Sequence, residues 1–160
     1  MAISLLTIFA AAILTHNMAF TYLLGMCPFI SLSKNLRTAS GMGFAVIFVV
    51  TLTALINWPI YNLILVPTGT ELIYYIVFII VIAASVQLVE MIMERFFPPL
   101  QAAFGIFLPL ITVNCTVLAV SLFLVIREYN YLTTIVFAFG SAVGWIVAIV
   151  IVAAINEKLK

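Results

Sequence analysis

Of the 160 residues, 67% are apolar and 7% are charged, against roughly 25% charged in a soluble globular domain. A chain this apolar cannot cover its surface in a monomeric water-soluble fold, and a net charge of +1 excludes the basic surface that nucleic-acid binding requires. No hydrophilic stretch is long enough for a separate soluble domain, so any chemistry falls within or between membrane helices.

The first apolar stretch runs from about Ile3 to Leu32. Met1 to Leu14 lacks the basic n-region of a signal peptide and its apolar character continues onward, so it is read as part of the mature protein. As one helix the stretch would be about 45 Å long at ~1.5 Å per residue, and it carries His16, Asn17, Gly25 and Pro28. A second stretch spans about Gly41 to Leu65 and a third about Leu72 to Met93. The fourth, about Leu100 to Ile126, carries Gly105, Pro109, Thr112 and Asn114, and the fifth runs from about Tyr131 to Ile155. None alternates in polarity as a barrel strand would. The expected fold is an all-α polytopic membrane protein, residues 1–160 forming a single transmembrane domain of five spans.

Proline removes a backbone donor and glycine weakens a helix, so spans one and four are expected to be broken or kinked at membrane depth. Each is followed by a basic turn (Lys34 and Arg37; Arg127) and then a glycine-bearing span (Gly41 and Gly43; Gly140 and Gly144). Three crossings apart, the two spans run antiparallel, as expected of inverted three-helix repeats. Of Lys34, Arg37, Arg95, Arg127, Lys158 and Lys160, all but Arg127 fall on one side of a five-span topology. The positive-inside rule then puts the N-terminus out and the C-terminus in. Trp58, Tyr129 and Tyr131 sit near span ends, where aromatic anchors are common.

The two cysteines, Cys27 and Cys115, each follow the helix-breaking residues of an irregular span. Helical rise places Cys27 about 10 Å from the cytoplasmic side and Cys115 about 12 Å from it, hence at similar depth. Three readings stand side by side: small buried apolar residues, a disulfide, or thiolates stabilised by a metal. The last requires ligands from a second chain, because two cysteines fall short of the four that a cluster takes.

Two segments carry a family resemblance: Asn17-Met-Ala-Phe leading into Leu24-Gly-Met-Cys27-Pro-Phe, and Arg95-Phe-Phe-Pro-Pro-Leu100 leading into Gly105-Ile-Phe-Leu-Pro-Leu-Ile-Thr-Val-Asn-Cys115. Together with Phe139-Gly-Ser-Ala-Val-Gly-Trp145, they resemble the family formed by the D and E membrane subunits of the sodium-translocating NADH:quinone oxidoreductase (Nqr) and the A and E membrane subunits of the Rnf complex. Asn17-Met-Ala, Arg95-Phe-Phe-Pro-Pro and Gly144-Trp145 look more like the E subunits of Nqr than the A subunits of Rnf. The resemblance implies a bacterial inner-membrane component of a six-subunit translocase, not catalytic alone, paired with the homologous and oppositely oriented D subunit. It further implies that Cys27 and Cys115 supply half the ligands of an intramembrane [2Fe-2S] cluster. Electrons from NADH would pass through it between FAD and FMN on other subunits toward ubiquinone, while sodium is exported. The A subunit of Rnf, a ferredoxin:NAD oxidoreductase, is the alternative within the family, and a small non-redox transporter component the alternative outside it. Family members continue into a sixth span beyond the turn matching Asn156 to Lys160, so the second repeat is expected to lack its last helix here.

Glu90 lies one turn before Glu94 on the third span, where it fits either an ion pathway or an interfacial carboxylate near Arg95. His16, beside Asn17, fits a proton relay, a metal ligand or a local hydrogen bond.

Overall fold

The computed structural model describes residues 2–159 apart from Ser33, Asn35, Thr70, Phe97, Leu100, Gln101, Ala103, Phe104, Ile106, Phe107 and Val113. Among the described residues there are helices and no strands: α1 (Ala2–Leu14), α2 (Met26–Leu32), α3 (Leu36–Ile60), α4 (Val66–Thr68), α5 (Tyr74–Phe96), α6 (Leu108–Thr112), α7 (Cys115–Ile126) and α8 (Tyr131–Lys158). The segments Ala39–Thr68, Tyr74–Phe96, Pro109–Ile126 and Tyr131–Lys158 are each long and apolar enough to cross a membrane, whereas Ile3–Leu14 is a shorter apolar helix. The fold is that of an all-α polytopic membrane protein.

The first apolar stretch is broken into α1 and α2. Asn17 ends the first half: its Oδ1 accepts from the Ala19 backbone N–H at 3.0 Å, a local bond that competes with continued helix. Leu23 at φ 54° and Gly25 at φ 79° then turn the chain, and Pro28 falls in the first turn of α2, where its missing N–H does no harm. The fourth stretch is broken likewise. Asn114 has an extended backbone and its side chain accepts from Thr116 N at 3.0 Å, so α7 starts afresh with Cys115. The start of that stretch, Leu100 and much of the following segment to Phe107, lies outside the described residues.

The second stretch holds a break that the expected Gly41 to Leu65 span did not include. Pro59 lies inside α3 and is followed by a π-helical turn, Tyr61–Leu65; a proline cannot donate to the carbonyl four residues back, which loosens the ladder there. Asn62 Nδ2 donates to the Trp58 carbonyl at 3.2 Å. Gly69, at φ 66°, ends the run. The third helix runs three residues past its expected end, with Arg95 in its last turn complementing the helix dipole.

Packing centres on α3 against α8. They are antiparallel: Gly43 sits under Ile146, and at the other end Trp58 meets Tyr131 edge-on at 5.1 Å. Span one packs on α8 and span four on α3. The α1 contact is close because α8 presents small residues. A Cβ on Gly140 would lie 3.0 Å from that of Ala12, and one on Gly144 would lie 3.2 Å from Ile13 Cα, so the glycine pair lets the two backbones approach. The buried core runs through this seam, with Met42, Val46, Val49, Ala142, Trp145 and Ile149 all essentially inaccessible.

Candidate functional site

The two breaks meet. Gly25, two residues before Cys27, is buried against the Thr116 hydroxyl, Trp145 and Asn114: a Cβ there would lie 2.6 Å from the Trp145 indole nitrogen and 3.2 Å from Asn114 Oδ1. Asn114 and Thr116 are the neighbours of Cys115 in the chain. Only a glycine both tolerates the positive φ and leaves room for this approach. Residues far apart in sequence, each directly beside a cysteine-bearing turn, are thereby held in contact.

Cys27 is the second residue of α2 and Cys115 the first of α7. Both are exposed, and they do not form a disulfide. Neither side chain is part of this chain's own buried core. Three polar atoms at the junction, Asn114 Nδ2, Thr116 Oγ1 and Trp145 Nε1, are buried without a hydrogen-bond partner among the described residues. Unpartnered buried donors are rare in folded proteins, and here they gather at the contact between the two breaks.

Among the described residues no group of three or more His, Cys, Asp or Glu side chains is placed to hold a metal. Two thiols fall short of the four that a cluster takes, and both are exposed on this chain. Cys115 opens a helix, at the end whose free backbone N–H groups favour negative charge.

His16 is not at this junction. Its Nδ1 is 3.2 Å from the Tyr22 hydroxyl, and its Nε2 is 3.5 Å from Arg127 Nη2, which makes it a link between the first break and the α7–α8 turn. Glu90 lies half-buried on α5 and Glu94 is exposed one turn on. Two features escaped sequence reading. Asn17 Nδ2 donates to the Gly144 carbonyl at 2.9 Å and to Ile13 O at 3.2 Å, tying the first break to α8. Trp58 donates from Nε1 to the Tyr129 carbonyl at 2.9 Å, joining the end of α3 to the α7–α8 turn. The signal for the first was present in Asn17 and the glycine pair, but nothing local joins residues 127 positions apart.

A family model described as Rnf-Nqr subunit, membrane protein, matches residues 5–160. The chain is 47% identical over 161 residues to the E subunit of the Na(+)-translocating NADH-quinone reductase from Serratia proteamaculans, covering 97% of this chain and 81% of that protein. It is 46% identical to the protein of the same name from Proteus mirabilis, with the same coverage.

Proposed function

Because the chain belongs to the Rnf-Nqr family of membrane subunits, we propose that it is the E-type subunit of a sodium-translocating NADH:quinone reductase that carries electrons within the bilayer. Cys27 and Cys115 provide two of the four ligands of a [2Fe-2S] cluster, and the homologous, oppositely oriented D subunit provides the other two. The observation that carries this reading is the contact of the two cysteine-bearing breaks through Gly25, Asn114 and Thr116, with both thiols exposed.

When bound, the cluster supplies a one-electron carrier between the FAD and FMN sites of other subunits, on the way from NADH to ubiquinone. This chain's residues position it. Gly25 sets the turn that delivers Cys27, and the Asn114 cap sets the start of α7 and with it Cys115. Asn114 Nδ2, Thr116 Oγ1 and Trp145 Nε1, buried and without a partner among the described residues, give the junction polar groups able to balance negative charge. The packed seam of α3 and α8 behind them excludes water. In the bacterial inner membrane the N-terminus lies outside and the end of α8 inside, with sodium leaving the cell.

Cys27→Ala in the intact complex tests this. The expected result is loss of the intramembrane iron and its absorbance, with quinone reduction at background while NADH oxidation by a soluble acceptor continues. Full quinone reduction by a normally assembled variant would overturn it, since Cys→Ala as a packing change alone costs only about 1 kcal/mol.

A further inference from the structure

At the opposite end of α3 from its basic start, a cavity of 340 Å³ opens between the π-helical turn, α5, α7 and the α7–α8 turn. Asn57, Tyr61, Asn62, Ser121, Glu128 and Asn130 line it, a wall rich in oxygen. Its volume is that of about eleven water molecules, at about 30 Å³ each.

Asn57 is only 1% exposed, and its amide is held in one orientation. Ser121 Oγ donates its single proton to the Val117 carbonyl at 3.1 Å, so it can only accept from Asn57, and Asn57 Nδ2 donates to it at 2.9 Å. That leaves Asn57 Oδ1 as a buried carbonyl oxygen with no partner among the described residues. Buried acceptors are ordinarily paired, and a bare carbonyl oxygen beside a polar cavity is a cation ligand in waiting.

Among the described residues, Glu128 is the one charged residue lining the cavity. It sits at φ 46°, where a non-glycine residue is strained. The bonds Glu128 N to Val125 O at 3.3 Å and Tyr129 N to Leu124 O at 3.4 Å make a Schellman turn whose left-handed position is usually glycine. A carboxylate thus occupies a position that the backbone alone would give to glycine. Arg127 does not line the cavity; its guanidinium lies 3.2 Å from the Tyr129 hydroxyl and 5.8 Å from the centre of the Phe123 ring.

We propose that this cavity binds one sodium ion, partly hydrated, between Asn57 Oδ1 and the Glu128 carboxylate. A single carboxylate among neutral oxygens matches a monovalent charge, whereas calcium sites commonly gather several carboxylates. Lys34, Arg37, Arg95 and Lys158 all lie toward the other end of the bundle, so in the proposed orientation the site faces outward, where an exported ion leaves. The proposal rests on reading the complex as a sodium exporter.

The test is equilibrium binding of 22Na+ to the purified intact complex, with iron measured on the same preparations. Glu128→Gln keeps the shape of an exposed residue and removes only charge; it is expected to abolish one sodium equivalent or weaken it about tenfold. Asn57→Leu should do the same. A wild-type complex that binds sodium, with both variants unchanged in stoichiometry and affinity, overturns the site and leaves the exporter reading standing. A wild-type complex with neither sodium binding nor iron overturns that reading as well.

Discussion

Asn17 and Gly144, 127 positions apart, are joined by a 2.9 Å hydrogen bond from the asparagine amide to the glycine carbonyl. Asn17 is 4% exposed, and the same side chain caps the Ala19 N–H. Asn17→Leu keeps the volume but leaves the buried Ala19 N–H without its partner, at about 1–3 kcal/mol, and removes the bond that the Gly144 carbonyl accepts beside that of its own helix. Thermal unfolding of the detergent-solubilised complex should show a clear drop in Tm for this chain, and an unchanged transition would mean that the bond contributes nothing.

Gly25 and Gly69 both have positive φ, but a Cβ on Gly69 meets nothing within 4 Å. Gly69→Ala therefore carries backbone strain alone, on the order of 1 kcal/mol. Gly25→Ala adds collision with Thr116 and Trp145, and is expected to push the two breaks apart. Iron per complex should fall sharply in Gly25→Ala and stay near wild type in Gly69→Ala; equal retention in both would detach the glycine contact from the site.

Both thiols are exposed on this chain alone. In the assembled complex a maleimide should label neither Cys27 nor Cys115 until iron is chelated, after which both should react. Labelling at full rate with iron in place would rule them out as ligands.

Orientation is open to reporter fusions. A reporter after Arg37 is expected on the cytoplasmic side and one after Arg127 on the outer side. The reverse pattern would move the Glu128 cavity to the cytoplasmic face and make it an entry site rather than an exit.

The breaks in spans one and four were legible because Gly25, Pro28, Pro109 and Asn114 act locally on the backbone. The fold class followed from composition and span length. The π-helical turn after Pro59 was equally local in cause, but an apolar run hid it, since lipid-facing and irregular turns can share one composition. Exposure of the cysteines, the seat of Asn17 on Gly144 and the presence of Asn57 and Glu128 at one cavity depend on which helices meet. Contacts across 71 residues, as between Trp58 and Tyr129, leave no periodic trace in a single sequence.

The seat of Asn17 bears on biogenesis. Just past the end of α1, it donates to the Gly144 carbonyl on α8 as well as to Ile13 in its own segment. When this segment leaves the ribosome, the glycine seam that receives it has not been synthesised. The bond that ties the first break to α8 forms only after more than a hundred further residues have been made. The polar break at Asn17 thus makes α1 depend for its seat on a helix made well over a hundred residues later.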